Sequence, residues 1–389
     1  MEIKKTEESS VRSRRTGRRF FLILCLVLVF AAGFVSGAGY QLSRVELNLN
    51  EFWQVYSLID QEHVGTIDKK KAVEGATRGL VESLGDPFSG YLTKEERSNL
   101  TQELSGEFEG IGARLEDKNG NVTVVSPLTD SPAERAGLKP NDIIIKINGE
   151  STENMSLDQA VDKIRGKEGT EVELTVYRTS VSDPIVMKIT RSAILVPSVT
   201  WKMIGTVGYI EVSQFGDDTV ALFAAAVAGL KEKSPTAIVL DLRNNPGGYL
   251  NDVAPLAAAF LPPASVVTIQ KFKTKPQEEI KTEGVPVFPE TKLFVLTNAG
   301  SASASEILAG ALKDYGRAKI IGQKSYGKGS VQDIIPLGGG AALRLTIAEW
   351  LTPKGNVVNK VGIEPDTKVD GERTETADPI LDKALELAR

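Results

Sequence analysis

Hydrophobic positions follow three rhythms along this chain, and each predicts a different kind of element. From 45 to 105 they recur at helical spacing. Phe52, Val55, Tyr56 and Ile59 share one face, and Ala72, Ala76, Leu80 and Leu84 form a second stripe that Gly85-Asp86-Pro87 stops. Between 195 and 370 short, nearly continuous apolar runs dominate. Residues 207–212 (VGYIEV) and 237–242 (AIVLDL) flank a helix-period stretch at 219–231, the order of a strand–helix–strand crossover packed on a sheet. Residues 293–296 read as another strand. A helical pattern through Ile307, Leu308, Ala311 and Leu312 follows and stops at Gly316. A short strand at 319–321, strand-like runs at 330–337 and 343–351, and a closing helix at 379–387 complete the region. The expected fold class is mixed α/β (α+β), a sheet flanked by helices. The third rhythm is the absence of one: residues 20–43 are 24 positions without a charge, long enough to span a bilayer.

Charge orients that span. Residues 1–19 hold seven basic against three acidic residues, a net of +4; the whole chain carries −5, so the remainder carries −9. Basic residues before an apolar span favour a cytoplasmic amino end and an exported body. The expectation is a basic cytoplasmic tail (1–19), a transmembrane anchor (20–43), and the body of the chain outside the cytoplasm, periplasmic or extracellular. Cleavage as a signal peptide, giving a secreted protein, is the alternative; small residues at 31–39 allow it, and Arg18-Arg19-Phe20-Phe21-Leu22 is similar to a twin-arginine export signal. An acidic exported body argues against nucleic acid as a partner. The single cysteine, Cys25, excludes an intrachain disulfide, and no metal or organic cofactor is implied.

Candidate chemistry gathers in residues 293–332. A strand ends in Thr297-Asn298-Ala299-Gly300, then Ser301, Ser303 and Ser305 alternate with alanine into a helix. A tight small-residue turn between strand and helix holds a nucleophilic serine up into a cleft, and the helix N-terminus offers N–H groups to an oxyanion. The pattern alone does not choose among the three serines. The chain has one histidine, His63, far from this region. Lysine is the other base that activates serine, and it must be buried to be neutral. Lys328 sits in the otherwise uncharged run 325–332, which suits a lysine pressed into a packed site. The run 322–328 also fits G-x4-G-K, but Gly329 stands where a P-loop needs Ser or Thr, so ATP binding is rejected.

GSASASEILAGALKDYGRA (300–318) and GKGSVQ (327–332) resemble the carboxyl-terminal processing protease family, the tail-specific serine proteases. The resemblance implies that Ser303 is the nucleophile, Lys328 the general base, and Gln332 the residue that orients the lysine. LDLRNNPGGYL (240–250) resembles the family's oxyanion loop; either Gly247 or Gly248 would donate an N–H beside that of Ala304. Asp241 and Arg243 are expected to pair within that loop, and Asp314 to be a structural helix-end charge. LGDPFSGYLTKEE (84–96) resembles the family's helical lead-in and shows no evident chemistry, and 352–366 resembles its closing motif.

Residues 106–194 resemble a PDZ domain, through GEFEGIGARL (106–115), the run 122–150 and the helix MSLDQAVDKIRG (155–166). Such domains add a peptide's C-terminal strand to a sheet edge while backbone N–H groups hold its carboxylate. Here the matching loop is Gly110-Ile111-Gly112, and Arg165 is similar to an arginine that regulates some relatives. The expected organisation is a helical region (45–105), the PDZ domain (106–194), a serine protease core (195–370) and a C-terminal helix (371–389). The expected function is a membrane-anchored serine endopeptidase cleaving proteins at or near their C-terminal tails. Homodimerisation is plausible by resemblance. The competing readings are a catalytically inactive PDZ scaffold and an acyl-transferring hydrolase of the penicillin-binding kind, against which the Ser303–Lys328 spacing argues.

Overall fold

The computed structural model describes residues 48–389 except 372, 375 and 376; the basic tail and the apolar span at 20–43 lie outside the described residues. Among the described residues no helix is long and apolar enough to cross a membrane. The chain divides into two units, one ending at Val73 and the other beginning at Glu74. In the first, helix α1 (Asn50–Glu62) buries none of its residues, and Phe52, Trp53, Val55 and Leu58 are exposed. Helix α2 (Lys69–Glu82) runs from this unit into the next.

The second unit opens with β1 (Gly90–Leu92) and α3 (Lys94–Ser105). Thr93 caps α3: its hydroxyl accepts from the Glu96 N–H and the Glu96 carboxylate accepts from the Thr93 N–H. A PDZ-type fold follows, made of β2 (Glu107–Gly110), β3 (Ala113–Lys118), β4 (Asn121–Pro127), α4 (Pro132–Arg135), β5 (Ile143–Ile147), β6 (Glu150–Ser151), α5 (Leu157–Ile164), β7 (Glu171–Tyr177), β8 (Ile185–Thr190) and β9 (Ser192–Leu195). Its sheet runs β3-β4-β5-β7-β8, so β3 keeps one edge unpaired, while β2 pairs with β9. Val122, Val124, Ile144, Leu174 and Ile189 alternate inward to form its core.

The larger part consists of β10 (Val199–Ile204), β11 (Val207–Val212), α6 (Thr219–Lys233), β12 (Ala237–Asp241), α7 (Val253–Ala257), β13 (Val266–Phe272), β14 (Glu278–Lys281), β15 (Lys292–Thr297), α8 (Ala304–Asp314), β16 (Lys319–Gly322), β17 (Ser330–Pro336), β18 (Ala342–Leu351), β19 (Thr367–Lys368) and α9 (Pro379–Ala388). The predicted strands and crossover helix are all present. The main sheet has the order β10-β11-β12-β15-β16-β19, parallel except for β10. Both of its faces are covered, which is why β12 and β15 read as continuous apolar runs. Ile238, Leu240, Leu293 and Val295 face the core shared with α6, α7 and α8. The alternate residues Ala237, Val239, Phe294 and Leu296 face α9 through Ile380 and Ala384. A second, antiparallel sheet places β18 between β17 on one side and β1 and β13 on the other.

Candidate active site

Three neighbouring parallel strands, β12, β15 and β16, end on the same side of the sheet, and each feeds one of the loops singled out above. The crevice beyond the carboxyl ends of parallel strands is where open α/β sheets bind ligands. The loop after β12 is held by Asn245, which is fully buried. Its side-chain amide donates to the Val212 carbonyl at 2.7 Å, its Oδ1 accepts from the Gly247 N–H at 2.9 Å, and its backbone carbonyl accepts from the Ala302 N–H at 3.0 Å. Gly247 and Gly248 adopt φ of 102° and 136°, and no side chain would fit at either. A Cβ on Gly247 would lie 2.6 Å from the Ser303 Cβ; one on Gly248 would lie 1.8 Å from the Phe215 carbonyl oxygen.

The turn after β15 separates the three serines. Ser301 and Ser305 are fully buried, and their hydroxyls donate to the Leu242 and Asn245 carbonyls at 2.8 and 3.0 Å. Both fasten this turn to the β12 loop. Ser303 lies at the base of α8, partly exposed, with φ 56° and ψ −118°. A non-glycine residue there is strained, the signature of a strand-to-helix elbow that lifts its side chain out of the sheet.

Glu306 joins the elbow to the loop after β16. Its carboxylate is fully buried and accepts four hydrogen bonds. Oε2 takes the N–H groups of Ser303 and Lys328, both at 2.9 Å; Oε1 takes the Ser325 hydroxyl and the Gly327 N–H, both at 2.6 Å. Four donors compensate the desolvation of a buried anion. Sequence reasoning passed over this residue, although Ser303-x-x-Glu306 is a capping-box spacing that points a carboxylate back at the elbow. Ser325 also accepts from the Ile363 N–H at 2.6 Å.

Lys328 is half-buried. Its carbonyl accepts from the Trp350 indole at 2.9 Å, and its amine lies 4.9 Å above the Phe88 ring. Burial pushes the amine below the ordinary lysine range and the neighbouring Arg344 adds to this, while Asp86 and Glu306 oppose it. Gln332, on β17, donates to Ser330 Oγ at 2.9 Å and to Thr346 Oγ1 at 3.0 Å. Both bonds are donated by the side-chain amide nitrogen, whereas a lysine ammonium would be met by the amide oxygen.

Behind the site Arg243 is clamped. It pairs with Asp241, as expected, and also with Asp378, which caps α9; its Nη1 lies 2.6 Å from Asp378. Asp314 accepts from the Lys354 N–H at 2.8 Å, a structural role. In the PDZ-type fold, Gly110, Ile111 and Gly112 line a mostly apolar groove of about 230 Å³ beside Val161, Ile164 and Arg165. Arg165 is exposed at the end of α5, its guanidinium 5.1 Å over the Phe108 ring.

The chain matches the family model Peptidase family S41 over residues 206–369, a PDZ domain over 123–178, and the Activating protease CtpB N-terminal domain over 35–96. It is 39% identical over 351 residues to a "Probable CtpA-like serine protease" of Staphylococcus aureus, covering 90% of this chain and 70% of that one. To the protein of that name from Staphylococcus epidermidis it is 38% identical over 337 residues, covering 86% and 68%. The solved photosystem II D1 C-terminal processing protease superposes with a TM-score of 0.53 at 27% identity, covering 82% of this chain and 86% of that one. These likenesses define the class: a serine-type peptidase built on the S41 core with an embedded PDZ domain. The chain belongs to the carboxyl-terminal processing protease family.

Proposed function

We propose that this protein is a membrane-anchored, exported endopeptidase that trims protein substrates at or near their C-terminal tails with a Ser303–Lys328 dyad. The observation that carries this reading is the buried Glu306 carboxylate, which ties the backbone N–H groups of Ser303 and Lys328 to one anion. Ser303 Oγ attacks the scissile carbonyl while neutral Lys328 takes its proton. The Ala304 N–H at the start of α8 and an N–H of the β12 loop hold the oxyanion. Because the Gly247 N–H is already given to Asn245, Gly248 is the second donor. The lysine ammonium then protonates the leaving amine, and water, deprotonated by the same lysine, hydrolyses the acyl-enzyme. Gln332 steadies the ammonium through its side-chain amide oxygen, the acceptor that its bonds to Ser330 and Thr346 do not use.

The open edge of β3 beside α5 suits an added substrate strand, its carboxylate held at Gly110-Ile111-Gly112, with Arg165 at the groove reporting occupancy to the protease. The apolar span at 20–43 anchors the chain, and the exposed apolar face of α1 supports homodimerisation. The test is degradation of β-casein by the full-length protein in detergent. Wild type cleaves; Ser303→Ala and Lys328→Ala do not. Cleavage by Lys328→Ala at the wild-type rate would overturn the dyad.

A further inference from the structure

The motif LGDPFS, which the protease reading leaves without a task, lies against the base. Asp86, Pro87, Phe88 and Ser89 form a turn immediately before β1, and β1 pairs with β18, so that Gly90 stands opposite Arg344. The turn is internally braced: Asp86 Oδ1 accepts from the Phe88 N–H at 3.0 Å, and the Ser89 hydroxyl donates to Asp86 Oδ2 at 2.6 Å. It is also braced to the catalytic sheet. Ser89 Oγ accepts from the Thr346 N–H at 3.0 Å, the Thr346 side chain bonds Asp86, and Thr346 Oγ1 accepts from Gln332. This bonding fixes the Phe88 ring 4.9 Å from the Lys328 amine.

We propose that the 86–89 turn is the cover of the base: Phe88 shuts the Lys328 amine off from water, and Asp86 sets the negative charge beside it. Both act through Lys328 and are positioning residues. The inference rests on Lys328 being the general base. Three charged groups face the amine, each from a different element: Asp86 from the turn, Glu306 from α8 and Arg344 from β18. Glu306 is saturated by its four donors. Arg344 has an Nε buried without a hydrogen-bond partner, and its charge disfavours the ammonium. The turn also borders an open cavity of about 540 Å³, lined by Asp86, Pro87 and Ser89 together with Arg78, Glu96 and Arg344, through which solvent would reach the amine if the ring were removed.

The two halves of the turn pull the amine in opposite directions, which a scaffold would not do. Removing the ring takes away a cation–π attraction for the ammonium but admits water, the larger effect for a buried amine, so the base forms only at higher pH. Removing the Asp86 charge favours the neutral amine, so the base forms at lower pH. The experiment is kcat/KM against pH, from 6 to 10.5, for full-length protein in detergent with fluorescein-labelled β-casein. In Phe88→Ala the acid limb moves up by about one pH unit, roughly a tenfold loss at pH 7. In Asp86→Asn it moves down. Phe88→Leu, which keeps an apolar cover, restores the wild-type limb or lowers it slightly. Variants whose limbs stay in place while only the plateau falls, or limbs that move the same way in Phe88→Ala and Asp86→Asn, would overturn the proposal. If Phe88→Ala does not fold, the direction in Asp86→Asn decides alone: downward supports the proposal, unmoved or upward overturns it. Lys328→Ala separates the two levels: activity there means that the dyad reading has failed, whereas an inactive Lys328→Ala beside unmoved limbs condemns only the cover.

Discussion

Arg243 and Lys328 both lie beyond the carboxyl ends of the parallel strands, one after β12 and the other after β16, and both are withdrawn from solvent. Their surroundings differ in one respect. Arg243, with 6% of its side chain exposed, meets two carboxylates, Asp241 and Asp378. Lys328 meets an aromatic face and a second cation; of the two carboxylates that face it, Asp86 sits on the 86–89 turn and Glu306 spends its oxygens on N–H and hydroxyl donors, and neither forms an ion pair with it among the described residues. A buried cation matched by carboxylates is locked in its charged form and serves as a clamp. A buried cation left under-compensated releases its proton and serves as a base.

The sharpest way to break this contrast is Lys328→Arg. A guanidinium cannot be deprotonated here, so cleavage should fall by about 10⁴-fold, as with Lys328→Met. Turnover of β-casein by Lys328→Arg at near wild-type rates would mean that a permanent cation suffices. Glu306→Gln comes next. It leaves amide hydrogens facing the donors that the carboxylate satisfied, and urea denaturation should register a loss of about 3–5 kcal/mol, with cleavage falling in parallel. Arg243→Met should cost a similar or smaller amount by stranding two buried carboxylates, while leaving the acid limb of the Lys328-dependent profile in place.

That clamp also has a pH signature. Burial alone would raise the Asp378 carboxyl, but its bonds to Arg243 and to the Leu381 N–H outweigh this and hold it below the ordinary aspartate value. A depressed folded value contributes stability above the unfolded pKa, and that contribution is lost as pH falls through the lower folded value. Wild type should therefore lose stability below about pH 4, a loss that Asp378→Asn should flatten in thermal melts. The smallest effect concerns Asp252, whose Oδ2 is buried without a partner and whose carboxyl is pushed up to about 6 by burial and by Asp217. A raised carboxyl disfavours the fold fully above that pH and is relieved progressively as pH falls towards the unfolded value of about 4. Asp252→Asn should raise Tm slightly at pH 8, less at pH 5, and not at all below about pH 4; an equal shift throughout would assign the effect to packing.

Much of the architecture was legible in the chain. The runs at 207–212, 237–242 and 293–296 announce strands covered on both faces, and Ile307, Leu308, Ala311 and Leu312 announce α8, because periodicity is a local property that survives without knowledge of the neighbours. Among the three serines the pattern was silent. What separates them is that Ser301 and Ser305 each find a backbone carbonyl some 60 residues earlier in the chain, while Ser303 stands in the strained conformation. The third member of the Arg243 clamp was equally silent, since Asp378 lies 135 residues away on α9.

The sequence by itself determined the strand and helix order, the glycines at 247 and 248 without which the loop after β12 could not close, and the presence of one lysine in an uncharged run. Only the tertiary structure decided what that lysine experiences. Its protonation depends on water, on Phe88 and on three charges brought from 86, 306 and 344. Electrostatic energy depends on distance and dielectric in space, and neither can be read from separation along the chain.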